Sequence, residues 1–413
     1  DVERSRGLGD VYKRQNIDIV GGDLVAEGGV GIGSGNAIET QVNRLAARVT
    51  TGNGNIEFEN TGDLTLDDLV GWGYAINNAG TGDINITVNS NLTVDDPVIS
   101  NGGDVTLTAN SGAIIQNVNG DITTNGGNYT ATASGYYEMK DSGADVAFVN
   151  SGAGDITITA NGGDITLGRL ISTATAKLTA SGSILDGGDT GGEDIEVNSV
   201  ELIAGTGIGN GNHIDTKAVY LAATSTAGPI NINETDNLEV RQVGTTIGIT
   251  TTGDIDLDIG DNLILAANND INSNGGGITI DADDVTQNDG ADILSLGTPT
   301  DGDITLNIRS LYQSSDSKID AGSANVDINA TGSVYLDEIN GNIVNISAGN
   351  NIEEYSPDAQ VDITAYDLLM TASTGIGNNN TLETQVSRLN AYNSTSGNID
   401  IYNTGDLTID NFQ

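Results

Sequence analysis

Apolar and polar residues alternate in short bursts along this chain. Ile156-Thr157-Ile158-Thr159-Ala160 places its aliphatic residues on one side and its threonines on the other, and Asp303-Ile304-Thr305-Leu306 repeats the pattern. A period of two is that of a β-strand with one buried face. Many bursts open on Gly-Asp, as at Gly82-Asp83-Ile84, Gly103-Asp104-Val105, Gly154-Asp155-Ile156, Gly163-Asp164-Ile165, Gly253-Asp254-Ile255 and Gly302-Asp303-Ile304. Asp63, Asp83 and Asp104 stand in the same context and follow one another at nearly equal intervals. Their spacing predicts an all-β solenoid with one coil per about 20 residues, since so short a unit buries its apolar face only by stacking on its neighbours.

A longer repeat is superimposed on the coils. GIGSGNAIETQVNRLAARVTTGNGNIEFENTGDLTLDDL, from Gly31, returns as GIGNNNTLETQVSRLNAYNSTSGNIDIYNTGDLTIDNF from Gly375, and a more diverged copy begins at Gly207. The glycine pairs Gly31 and Gly33, Gly207 and Gly209, and Gly375 and Gly377 mark one structural turn, with Gly33, Gly209 and Gly377 expected at positive φ on equivalent corners. Residues 16–413 read as one continuous β-solenoid with super-repeats of about 170 residues (about 16–199, 200–366, and 367–413, the last truncated). Successive coils pair as parallel strands, and the right-handed crossover is the favoured sense, giving a right-handed parallel β-helix. About 20 coils at about 4.8 Å each predict a stack about 95 Å long. Residues 1–15, DVERSRGLGDVYKRQ, lack the alternation and carry Arg4, Arg6, Lys13 and Arg14; they are read as a non-native leader and excluded from the fold.

Composition narrows the function classes. Aromatics make up 4% of the chain against 57 glycines, which suits thin-cored stacks of strands. A net charge of −44 argues against nucleic acid and against an anionic membrane surface, both of which need clustered Lys and Arg. No apolar run is long enough for a membrane-spanning helix. The absence of cysteine excludes disulfides and thiolate metal sites. Acidic side chains also keep a repetitive β-protein soluble.

Candidate chemistry is sparse. Gly31-Ile32-Gly33-Ser34-Gly35 looks like a phosphate-cradling loop, but Ile38-Glu39-Thr40-Gln41-Val42 alternates as a strand where a dinucleotide fingerprint needs a helix. The single histidine, His213, corresponds to Ala37 and Thr381 in the other copies, and the single tryptophan, Trp72, is read as rim packing. No cofactor is required on this reading. The alternation sends Asp254, Asp256 and Asp258 outward, with Asp281 and Asp283 a coil or two later, and these are the calcium candidates. Gly135 to Asn150 breaks the coil rhythm and gathers Tyr136, Tyr137, Met139, Lys140 and Phe148, a candidate contact surface for host or surface glycans or proteins. The basic residues form no cluster beside the carboxylates, as a lyase would require, so no enzyme is expected.

The GIG turn with ETQV and a following leucine, then GNI and NTGDLT, interleaved with Gly-Asp-Ile-Thr coils, resembles the repeat regions of filamentous-haemagglutinin-like large exoproteins. The resemblance covers about residues 16 to 413. It implies a right-handed parallel β-helix, two-partner secretion through an outer-membrane pore of a Gram-negative bacterium, and a role in adhesion or biofilm matrix at the cell surface. On this reading the chain is the shaft of a secreted adhesin, partnered by the rest of the same polypeptide. A carbohydrate-active β-helix enzyme and a surface-layer-like structural protein are the alternatives.

Overall fold

A computed structural model describes residues 17–143, 145–188, 192–297, 300–356 and 360–411; the leader at 1–15 lies outside them. The described residues contain no helix. Their strands pair in parallel from Ile19 to Ile409 and wind as a β-solenoid of about 17 turns with a repeat of about 22 residues. The coils are thus fewer and longer than the Gly-Asp spacing alone suggests, because coil length varies. Ile84, Val105, Tyr129, Ile156 and Ala176 are register partners in turn. The residue that precedes each of them follows its counterpart in the coil below by 21, 24, 27 and 20 positions. Corners absorb the differences while strands keep their pairing. At about 4.8 Å per coil the stack is about 80 Å long.

Each turn lays down three short strands, for example Ile84–Val88, Leu92–Val94 and Val98–Ser100, followed by Val105–Ala109, Ile114–Gln116 and Ile122–Thr123 directly above. Alternate side chains point inward and stack on their equivalents. One such column runs Ile56, Ile84, Val105, Tyr129, Ile156, Ala176 and Val200, all buried. Burying each large aliphatic side chain stabilises the stack by about 1.5–3 kcal/mol, so the core is a line of such columns and has no single centre.

The Gly-Asp signature serves the corners in a way that turn propensity does not explain. Gly82, Gly103 and Gly127 are not at positive φ. A Cβ on Gly103 would strike the carbonyl oxygen of Gly82 in the coil below, and one on Gly127 would strike that of Gly103. Glycine is needed here because backbone rests on backbone. The next residue then ties the coils together: Asp83 Oδ1 accepts the Asp104 N–H at 3.0 Å, Asp104 Oδ1 that of Asn128 at 2.7 Å, Asn128 Oδ1 that of Asp155 at 2.9 Å, and Asp155 Oδ1 that of Thr175 at 3.0 Å. Much of the acidity is thus a ladder of side-chain acceptors running along the stack. A buried hydroxyl three residues before the glycine completes the corner: Ser100 Oγ and Ser151 Oγ donate to the carbonyls of Gly103 and Gly154, both at 2.6 Å.

This division of labour is testable at one rung. Asp104→Asn keeps the acceptor and is expected to change stability by less than about 0.5 kcal/mol, whereas Asp104→Ala leaves the Asn128 N–H without its partner and should cost about 1 kcal/mol. Equal urea midpoints for the two variants would show that the ladder contributes nothing.

Candidate functional site

The corner that recurs with the super-repeat carries a buried polar site. Gly33, Gly209 and Gly377 have φ of 65°, 64° and 63°, and Gly207 and Gly375 both have 139°, while Gly31 lies outside the positive-φ region. Beyond the corner Thr40, Thr216 and Thr384 are buried, and each donates its hydroxyl to a side chain one coil on: Asn60 at 2.9 Å, Glu234 at 2.7 Å and Asn403 at 3.0 Å. The same three side chains accept the backbone N–H groups of Val42 at 2.9 Å, Ala218 at 3.0 Å and Val386 at 2.9 Å. Asn60 and Asn403 also donate back to the carbonyls of Val42 and Val386, both at 3.2 Å. An ionised glutamate has no hydrogen with which to do so. Glu234 is completely buried, and desolvation pushes its pKa up to about 7, with the Asp236 charge adding and the Thr216, Ala218 and Asp236 donors opposing.

The contact surface expected at Gly135 to Asn150 is corrected for two of its residues. Tyr137 and Met139 are buried, because the Tyr137–Met139 strand stacks on Ile114–Gln116 and keeps the inward phase of its neighbours. The Tyr137 hydroxyl lies 2.9 Å from that of Tyr129 and donates to Gln116 Oε1 at 2.9 Å, while Gln116 Nε2 reaches the Phe148 carbonyl at 2.8 Å. These aromatics fill core positions that elsewhere hold isoleucine, and their hydroxyls satisfy one another. Tyr136 remains 42% exposed, Lys140 pairs with Glu138, and Phe148 is half-buried. The break in rhythm is a spur closed by the antiparallel Asp141–Val146 bridge and by the Ala147 N–H on the Lys140 carbonyl at 3.0 Å.

The five calcium candidates are distributed along the sheet. Asp254 Oδ1 accepts the Gly277 N–H at 2.8 Å as a rung of the ladder, and Asp256 lies 3.3 Å from His213 Nε2. Asp258 sits beside Asp281 in register, and Asp283 is exposed. Among the described residues the carboxylates that converge are three others: Glu354, Asp362 and Glu383 bring one oxygen each within 4.8 Å of one another, the first two buried and the third half-buried. Asp362 Oδ2 also accepts the Glu383 N–H at 2.8 Å. Oxygen donors at this density could hold a divalent cation. Local alternation gave no sign of this group, because Glu383 comes from the coil after the one that carries Glu354 and Asp362. If it takes up calcium, Ca²⁺ should raise Tm more than NaCl of equal ionic strength does, and Asp362→Asn should remove the excess. Equal shifts in the two salts would mean a solvated acidic coat.

Among the described residues every cation has a carboxylate neighbour. Each of the ten basic residues beyond the leader lies within 4.0 Å of a carboxylate. Arg44 bridges Asp23 at 2.6 Å and Asp67 at 2.8 Å across coils. The Arg48 guanidinium lies 4.3 Å from the centre of the Trp72 ring, which also leans on Tyr74 at 5.9 Å. Trp72 is thereby packed against its own chain. The chain matches no protein-family model, no curated protein and no solved structure.

Proposed function

We propose that this solenoid is a non-catalytic spacer, the shaft of a secreted bacterial surface adhesin that holds a binding element away from the cell. The observation that carries the reading is the parallel coil-on-coil pairing that recurs from Ile19 to Ile409 among the described residues, in which most inward side chains are spent on stacking. Inward positions form aliphatic columns, corner aspartates cap the next coil, and the cations are paired with neighbouring carboxylates. Such a structure resists bending and grows in length by adding coils. The resemblance of the GIG and NTGDLT segments to large repetitive exoproteins is what supports a surface location and export through an outer-membrane pore on this proposal.

The test is a panel of neutral and acidic polysaccharides incubated with the purified chain, with X-ray scattering on the same sample. The expected result is a rod about 80 Å long that releases neither reducing nor unsaturated sugar ends. Release of either product would replace the shaft with a β-helix polysaccharide hydrolase or lyase.

A further inference from the structure

The stack departs from its plan in the second super-repeat. After Leu238–Val240 the chain leaves at Arg241, folds back through an antiparallel bridge between Val243 and Thr246, and rejoins the sheet at Ile249–Thr250. This loop is fastened by Glu201, far earlier in the chain and only 2% exposed. Glu201 Oε1 accepts the N–H and hydroxyl of Thr245 at 2.9 and 3.0 Å and those of Thr246 at 3.1 and 2.9 Å, while Oε2 meets Lys177 Nζ at 3.0 Å. Gly244, at φ 57°, rests directly on the carboxylate, where a Cβ would overlap Oε2. The loop is therefore a fixed wall.

It closes one end of a groove of about 510 Å³. The floor is set by strand register: Thr157, Lys177 and Glu201 stand side by side in one row, and Thr175, Ser199 and Tyr220 in the next. Rows in this sense run along the solenoid axis with one residue per coil, about 4.8 Å apart, so the groove suits an extended linear molecule. The Arg241 guanidinium carbon lies 4.6 Å from the centre of the Tyr220 ring, and the pair forms the end of the floor.

The chemistry of the lining selects the ligand. Hydroxyls and fixed ion pairs present hydrogen-bond donors and acceptors close together, the pattern that vicinal sugar hydroxyls complement. Both cations are offset, Lys177 by Glu201 and Arg241 by Glu239 at 3.7 Å, and the chain as a whole carries −44, which repels polyanions. We propose that this groove binds a neutral, linear oligosaccharide along the solenoid axis, one pyranose against the Arg241–Tyr220 pair and its neighbours hydrogen-bonded to Thr175, Ser199 and Lys177. The proposal does not depend on the shaft reading, since a spacer and an enzyme could each carry such a groove.

Calorimetric titration of the full chain with neutral hexasaccharides (β-1,4-glucan, xylan and mannan fragments) and with a hexauronate tests it. The expected result is a neutral hexasaccharide bound with Kd below about 1 mM, little changed by high salt. Thr175→Trp, which fills the floor from an outward position, and Tyr220→Ala should each weaken binding by about tenfold or more. Tyr335→Ala, on distant coils, should not, and unchanged circular dichroism and Tm would show that each variant folds. No neutral binding at several times that concentration, binding of the hexauronate alone, or undiminished affinity in both groove variants would overturn the proposal. None of these outcomes bears on polysaccharide cleavage or on rod length, so the two readings fail separately.

Discussion

Replacing Glu234 with glutamine is expected to stabilise the solenoid at about pH 8 by about 2–3 kcal/mol, an unusual outcome for a substitution at a fully buried site. The folded-state pKa is about 7 against an ordinary value of 4.5. Between these values the folded chain holds a proton that the unfolded chain releases. The stability linked to this group is therefore complete below about pH 4.5 and is lost as pH rises through 7, a change of about 3 kcal/mol. Glutamine is neutral throughout and supplies the N–H donor that Asn60 and Asn403 use at the equivalent corners, so its advantage should appear only as pH rises. Urea midpoints of the two proteins measured from about pH 4 to 8 isolate Glu234, because every other carboxylate titrates in both. Asp236, whose charge adds to the upward shift, is retained in both as well. Curves that run parallel across this range would show that Glu234 is ionised in the fold at no cost.

The second large effect separates two adjacent glycines. Gly102 has φ of 105° and open space where a Cβ would stand, whereas Gly103 has ordinary φ and backbone of the coil below in that position. Gly102→Ala should cost about 1 kcal/mol through left-handed strain alone. Gly103→Ala has to lift one coil off another, and a loss of about 3 kcal/mol is expected, at the upper end for overpacking because the obstacle is a carbonyl that cannot rotate away. The lifted coil also lengthens the Asp83–Asp104 rung to the coil below. Thermal melts of the two variants check the order, and equal losses would mean that the corner relaxes as easily as a surface turn.

Glu234 and Tyr137 show how far sequence can be read toward a site. Glu234 is visible in principle: ININETDNL aligned on IEFENTGDL places a glutamate where the first copy has Asn60, and a buried acid replacing a buried amide is a signal that alignment alone carries. Tyr137 is misassigned by sequence, because aromatic residues in a break of rhythm suggest a surface. The phase of the strand instead follows from its pairing with Ile114–Gln116, which turns Tyr137 and Met139 inward.

By itself the sequence determined the class of fold. Alternation such as Ile156 to Ala160 chooses a strand with one buried face, the recurring Gly-Asp punctuation chooses short coils, and neither choice needs knowledge of what lies above or below, because both are properties of a few consecutive residues. Which residues meet across coils was decided by the tertiary structure alone. Glu201 finds Thr245 two coils away, and Glu354, Asp362 and Glu383 converge from neighbouring turns. The uneven step from one coil to the next makes those meetings unreadable in advance, since corner insertions change the count without changing the strands. The same applies to the ladder glycines: whether a glycine serves a positive φ, as Gly33 does, or the approach of another backbone, as Gly103 does, depends on where the adjacent coil comes to rest.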